Sequence, residues 1–79
     1  MLKNNKLFFN LIIYLLFTII YLQNKNNFNK KQLSNNDIIY YSLVTHTTVG
    51  YGDIYPVTNQ GKYITSLHIL IVFIVNLFI

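Results

Sequence analysis

Two long apolar segments with a polar stretch between them organise this chain. The first covers residues 7–22 and the second covers residues 58–79. Wound as helices, they would measure about 24 Å and about 33 Å, against ~30 Å for the hydrocarbon core of a bilayer. Lys3 and Lys6 at one end of the first segment, and Tyr21 at the other, can lengthen its reach because long basic and aromatic side chains anchor at membrane interfaces. The pattern predicts two transmembrane helices.

Two shorter segments lie between them. Residues 23–36 are polar and rich in Asn and Lys, which predicts a solvated loop with no chemistry of its own. Residues 37–46 are mostly apolar and follow Ser34, Asn35 and Asn36, any of which can cap a helix, with Asp37 favourable in its first turn. This helix is too short to span a bilayer. It can enter and leave a membrane only if its backbone is buried in protein or lines water.

Composition and charge point to the same environment. The chain has 79 residues, of which 53% are hydrophobic and 10% are charged, and it has no Cys. Soluble domains carry about 25% charged residues, and one this small usually needs disulfides or a metal. The net charge of +4 arises from lysines alone, near the apolar segments or in the polar loop. A nucleic-acid partner is not expected, because such proteins normally present Arg in a basic patch. The chain contains no Arg, so an Arg-rich voltage-sensing helix is not expected either.

The most informative run is 47–53, which reads Thr-Thr-Val-Gly-Tyr-Gly-Asp. A potassium ion that crosses a bilayer must exchange its water shell for other oxygens, and rings of backbone carbonyls can supply them, with a Thr hydroxyl adding a further ring. Carbonyls that all point to one side require alternating dihedral angles. Gly50 and Gly52 suit this requirement, because glycine adopts a positive φ without a Cβ penalty.

This run, followed by Ile-Tyr-Pro-Val-Thr at 54–58, resembles the pore domain of tetrameric potassium channels. At this length the chain is most similar to the miniature potassium channels of algal viruses. The resemblance implies an all-α membrane protein in which two transmembrane helices flank a re-entrant pore helix and a selectivity-filter loop, assembled as a homotetramer. The implied parts are a first transmembrane helix at 7–22, an extracellular turret at 23–36, a pore helix at 37–46, a filter at 47–53 and a second transmembrane helix at 58–79.

The resemblance also implies roles for the filter and its surroundings. The ion path would be formed by Thr48, Val49, Gly50, Tyr51 and Gly52, with K⁺ bound at the first four. Support for the filter would come from Thr47, Asp53, Tyr40, Tyr41 and Val44. The two adjacent tyrosines would form an aromatic cuff, or else anchor at the interface. Val44 stands where some family members carry a glutamate that pairs with the aspartate matching Asp53. That pair cannot form here, so Asp53 must find another partner or stay solvated.

Polar side chains in the second helix are candidates for the inner cavity or gate. The resemblance places Phe73 and Asn76 along the cavity, and helical spacing puts His68 on the stripe of Asn76. Asn76 could instead form an interhelical hydrogen bond, and His68 could hydrogen-bond within the bundle or sense protons. His46 resembles a histidine that precedes the filter in the viral channels, where we expect it to serve packing.

The expected function is passive K⁺ conduction, with no catalysis, no cofactor beyond the permeant ion, and block by barium. Both termini would be cytoplasmic in a host or viral membrane, although Lys25, Lys30, Lys31 and Lys62 then lie outside, against the usual bias of positive charge. The alternatives are a non-selective cation channel, a non-selective viral peptide that permeabilises membranes, and a non-conducting subunit that modifies other channels.

Overall fold

The computed structural model describes residues 2–78, with side chains from Asn5 to Phe78. Within this range it has three α-helices, α1 at Leu2–Gln23, α2 at Asn35–His46 and α3 at Asn59–Phe78. A single-turn 3₁₀-helix at Lys25–Asn27 follows α1. Each α-helix packs against the other two. The predicted all-α class is confirmed, while the side chain of Lys3 and the terminal Ile79 lie outside the described part.

Helices α1 and α3 are long and apolar enough to cross a membrane, over Asn5–Gln23 and Asn59–Phe78. They measure about 30 Å each. Only 17% of the most apolar window of each helix is buried within the chain. On α1 the outward residues include Leu7, Leu11 and Leu15, which recur every fourth residue and are largely exposed. A stripe of this size is unfavourable in water and suited to lipid or to neighbouring chains.

Helix α2 begins with a reciprocal capping box. The N–H of Asp37 donates to the Ser34 hydroxyl over 3.1 Å, and the N–H of Ser34 donates to the Asp37 carboxylate over 3.0 Å. These bonds satisfy two backbone donors that a helix start otherwise leaves open. The backbone and side-chain hydrogen bonds from Ser34 lower the pKa of the Asp37 carboxyl below its ordinary value. The N-terminal end of the short helix is therefore fixed by its own sequence.

A compact apolar cluster holds α2 between the two long helices. Its buried members come from α1, the polar loop, α2 and the segment after residue 53, and they are Tyr21, Phe28, Leu33, Ile38, Tyr41 and Ile54. The aromatic rings meet edge to face, with Tyr41 lying 4.7 Å from Phe28 and 5.1 Å from Tyr21 between ring centroids. Such pairs add stability beyond the area that they bury. This cluster sets the position of α2 relative to α1.

The loop at 23–36 is more than the solvated connection that its composition predicts. Asn27 is buried, and its backbone carbonyl accepts the N–H of Val57 over 2.7 Å, while its side-chain oxygen accepts the Thr58 hydroxyl over 2.8 Å. The Asn29 side chain donates to the carbonyl of Asp53 and accepts the N–H of Tyr55. The predicted loop therefore also binds the segment that leads into α3, because Asn side chains supply both donors and acceptors to the backbone.

The start of α3 lies against this loop. Thr58 acts as the cap, since its hydroxyl accepts the N–H of Gly61 over 2.9 Å. A Cβ built at Gly61 would lie 2.9 Å from the Cβ of Asn27 and 3.0 Å from the Cβ of Pro56. Gly61 thus permits close contact between α3 and the loop, a requirement that the sequence pattern did not reveal.

We expect Gly61→Ala to destabilise the protein, although alanine is the better helix former. Overpacking of this kind costs about 1–3 kcal/mol. Thermal unfolding in detergent micelles should show a lower midpoint for Gly61→Ala, and an unchanged midpoint for Ser66→Ala at an exposed position of the same helix. An equal or higher midpoint for Gly61→Ala would contradict the close contact.

The capping box predicts that the thermal stability of the protein depends on pH. Because the pKa of Asp37 is lowered on folding, its contribution is present above the unfolded pKa of about 3.9 and is lost as pH falls through the folded value. Asp37→Asn should lower the thermal midpoint at neutral pH, and the gap from wild type should close in strong acid. A gap that does not change with pH would show that the charge contributes nothing.

Candidate functional site

The backbone of 47–53 adopts the left-handed region at every second residue. The φ angles are 63° at Thr48, 61° at Gly50 and 84° at Gly52. The predicted positive φ at the two glycines is confirmed. Thr48 was not predicted, because a β-branched residue at positive φ is unusual and strained. Such a residue persists only where its surroundings impose the conformation.

Hydrogen bonds to the end of α2 impose this conformation on Thr48. The N–H of Val49 donates to the carbonyl of Val44 over 3.1 Å, the N–H of Gly50 approaches the same oxygen at 3.5 Å, and the N–H of Thr48 donates to Thr45 over 3.1 Å. The last carbonyls of an α-helix lack partners within the helix, so they are free to accept these amides. Val44 thus contacts the candidate filter through its main-chain carbonyl. The resemblance had implied a role for its side chain instead.

Thr47 joins the helix to the run. It is the C-cap of α2, with its N–H on the carbonyl of Leu43 and its hydroxyl donating to the same oxygen over 2.8 Å. The Thr48 hydroxyl donates to the carbonyl of Thr47 over 2.6 Å. Both threonine hydroxyls therefore bond to nearby main chain within a single copy of the protein.

Two apolar side chains of the run are largely uncovered by their own chain. Val49 is 54% exposed and Tyr51 is 70% exposed. A Cβ placed at Gly50 or Gly52 would meet no heavy atom of the described residues within 4 Å. The need for glycine at these positions thus comes from the dihedral angle and not from crowding within one chain.

The two adjacent tyrosines of α2 have different surroundings. The Tyr40 ring lies parallel to that of Tyr51, with centroids 6.5 Å apart and planes inclined by 4°. Tyr41 turns the other way into the core, where its hydroxyl hydrogen-bonds to that of Thr65 at 2.8 Å. Within one chain, the aromatic contact to the candidate filter is made by Tyr40. A cuff built from both rings remains a prediction.

Asp53 is held by the polar loop through its main chain, because its backbone carbonyl accepts the Asn29 side chain over 3.1 Å. Desolvation, together with the nearby negative charge of Asp53, raises the pKa of the Tyr40 phenol above its ordinary value. The carboxylate of Asp53 thus acts on Tyr40 through its charge.

A groove of about 400 Å³ opens beside the run. Its walls come from the end of α2, the run itself and the middle of α3, and they include Val44, Thr48, Gly50, Ile69 and Phe73. Phe73 is half exposed and lies on the same side of the chain as the candidate filter. A cavity-lining role for Phe73 stays a prediction that this position favours.

The two polar candidates of α3 face α1. Asn76 and Asn10 exchange amide hydrogen bonds of 3.1 Å in both directions, which is the interhelical alternative that the sequence left open. Because Asn76 remains exposed in one chain, its lining role also stays a prediction. His68 is completely buried, with its ring stacked on Phe17 at 4.4 Å. This burial favours hydrogen bonding within the bundle, and a cavity role for His68 stays a prediction.

Comparison with known families identifies the family to which the chain belongs. A family model described as "Ion channel" matches residues 7–79, nearly the whole chain. The chain belongs to this ion channel family. It is therefore a membrane protein of a channel family and not of an enzyme family, which agrees with the two apolar helices.

Individual relatives carry potassium channel names. The chain is 44% identical over 57 residues to "Potassium channel protein kcv" of Paramecium bursaria Chlorella virus 1, covering 67% of this chain and 61% of the relative. It is 36% identical over 66 residues to "Potassium channel K1" of Plasmodium berghei, covering 80% of this chain and 3% of the relative. It is 55% identical over 31 residues to the human "Potassium voltage-gated channel subfamily A member 6", covering 39% of this chain and 6% of the relative.

The chain thus spans about three-fifths of the viral relative and a small part of the other two. No solved structure matches it.

The charge of Asp53 predicts a shift in the pKa of Tyr40 that can be measured. Asp53→Asn removes a negative charge beside the phenol, so the pKa of Tyr40 should fall toward its ordinary value. Desolvation remains, so the fall should be partial. Titration of ¹³C-labelled tyrosines by NMR can follow this residue, with Asp37→Asn as the control that removes the other acid. An unchanged Tyr40 titration in Asp53→Asn would contradict the influence of this charge.

Proposed function

We propose that this chain conducts K⁺ passively across a membrane, through a homotetrameric pore whose filter is lined by backbone carbonyls. The observation that carries the proposal is the positive φ at Thr48, Gly50 and Gly52, in a chain of the ion channel family. The potassium channel names of the relatives support K⁺ as the ion.

The hydrogen bonding of the run supports carbonyl coordination. The amides of Thr48, Val49 and Gly50 are directed toward α2. Each residue carries one donor and one acceptor, and with the donors engaged at the rear the carbonyls remain for the opposite side. We assign K⁺ sites to Thr48, Val49, Gly50 and Tyr51, with Gly52 at the outer end. The energetic requirement is that these oxygens replace the hydration shell of the ion at similar strength.

The assembly that we propose is a tetramer. A single run cannot surround an ion, whereas fourfold rotation closes four runs into a ring. The exposed side chains of Val49 and Tyr51, and the groove of about 400 Å³ beside them, are surfaces that neighbouring copies would cover. In this arrangement Phe73 and Asn76 would lie nearest the inner cavity.

Membrane orientation completes the proposal. With α1 and α3 both spanning the bilayer, the two termini are cytoplasmic and residues 23–36 form the extracellular turret. No cofactor is required, because the ion moves down its own gradient. Barium should block, since a divalent cation in a site built for K⁺ is held more tightly by the same oxygens. The membrane is that of a virus or its host.

The decisive experiment changes only the handedness of one residue. At φ of +61°, L-alanine in place of Gly50 is strained by about 1–2 kcal/mol, while D-alanine adopts this angle freely. A chain of 79 residues can be assembled by chemical ligation. We expect Gly50→Ala to abolish K⁺ flux into liposomes, and D-alanine at the same position to retain it.

The control is Ser66→Ala, which places L-alanine at an exposed position of α3 and should conduct normally. Full K⁺ flux through Gly50→Ala would contradict a filter that depends on a left-handed backbone. Flux of K⁺ and Na⁺ alike through every variant would indicate a peptide that permeabilises membranes.

A further inference from the structure

A continuous chain of side-chain hydrogen bonds links all three helices behind the candidate filter. The Tyr21 hydroxyl lies 2.9 Å from Nδ1 of His68, and Nε2 of His68 lies 3.0 Å from Nδ1 of His46. Nε2 of His46 then lies 3.0 Å from the side-chain oxygen of Asn10, which is paired with Asn76. Every ring nitrogen of both histidines is engaged.

The amide groups at one end fix the direction of this chain. Asn10 Nδ2 faces the backbone carbonyl of Lys6 at 2.9 Å, and Asn76 Nδ2 faces the carbonyl of Val72 at 2.8 Å. A carbonyl can only accept, so these atoms must be the nitrogens. The atom of Asn10 that faces His46 is therefore the oxygen, and it can only accept as well.

The tautomers follow in turn. His46 must donate from Nε2 to Asn10, so in a neutral ring its Nδ1 accepts. His68 donates from Nε2 into that nitrogen, so its own Nδ1 accepts, and Tyr21 donates its hydroxyl hydrogen. The direct partners of the two rings include no carboxylate, so a charge on the fully buried His68, or on the half-buried His46 beside it, would have no compensating partner. Both rings are thus neutral and carry their hydrogen on Nε2.

We propose that His46 is a positioning residue of the filter, held as the neutral Nε2–H tautomer between α1 and α3. This inference rests on the proposed function. His46 is the last residue of α2, and only Thr47 separates it from the strained Thr48. A strained residue is kept in place by rigid surroundings. The two bonds of His46 fix the end of α2 against both long helices, and so fix the carbonyl of Val44 that receives the filter amides.

The packing of the two histidine rings indicates that their orientation is fixed and that they do more than fill space. His68 is stacked on Phe17 with planes inclined by 5°, and the Tyr14 ring meets His46 edge to face at 6.0 Å. The rings are therefore held in orientation as well as in position. In such surroundings the loss of one partner leaves a polar group unsatisfied, which is more costly than the loss of a bond in water.

The first test is spectroscopic. In lipid bilayers, ¹⁵N NMR of histidine-labelled protein should show both rings neutral with the hydrogen on Nε2, and a scalar coupling across the hydrogen bond from His68 Nε2 to His46 Nδ1. A hydrogen on Nδ1 of either ring, a charged ring, or no coupling would overturn the assignment.

The second test is functional and uses matched substitutions on one helix. Asn10→Leu keeps the size of the side chain and removes the acceptor of His46 together with the partner of Asn76, whereas Asn76→Leu removes the second contact alone. Asn5→Leu makes the same change at an exposed position of α1. In single-channel recordings we expect Asn10→Leu to lower the K⁺/Na⁺ permeability ratio about tenfold, and Asn5→Leu to leave it unchanged. His46→Gln, which can still donate to Asn10, should retain more selectivity than His46→Phe.

The outcomes separate this inference from the proposed function. A wild type without K⁺ selectivity would overturn both. A selective wild type, together with normal selectivity in Asn10→Leu and His46→Phe, would overturn the positioning role alone. Should His46→Phe fail to assemble, Asn10→Leu still decides the matter, because it leaves both rings in place.

Discussion

The hydrogen bonds between the amides of the candidate filter and the last carbonyls of α2 are the interaction on which the rest of the structure depends. These bonds hold Thr48 at a φ of 63°, which the residue would not otherwise keep. A β-branched residue relaxes from the left-handed region unless its neighbours prevent it. The carbonyl of Val44 therefore links the position of a short helix to the backbone that is proposed to coordinate ions.

The remaining packing can be understood as holding that short helix at both ends. Its start is fixed by the capping box of Ser34 and Asp37, and its middle by the aromatic cluster around Tyr41. Its last residue is fixed by the hydrogen bond to His68. The polar loop fixes the far end of the filter through Asn29. Main-chain groups and amide side chains therefore supply most of the contacts that hold this region in place.

The sequence allowed much of the fold to be predicted, because apolar length and the glycine spacing act locally. The two long helices, the cap candidates of α2 and the positive φ of Gly50 and Gly52 all follow from properties of single residues or short windows. The bonds of Asn27 and the close contact at Gly61 could not be predicted, since they depend on segments about 30 residues apart. For the same reason His46 suggested only packing, although both of its nitrogens are bonded to other helices.

The central claim is that this chain by itself forms a pore that selects K⁺, and the reversal potential tests it most directly. Purified wild-type protein would be placed in a planar bilayer with K⁺ on one side and Na⁺ on the other. We predict unitary currents that reverse near the K⁺ equilibrium potential and are blocked by barium. Currents that reverse near zero, in irregular steps, would contradict a selective filter.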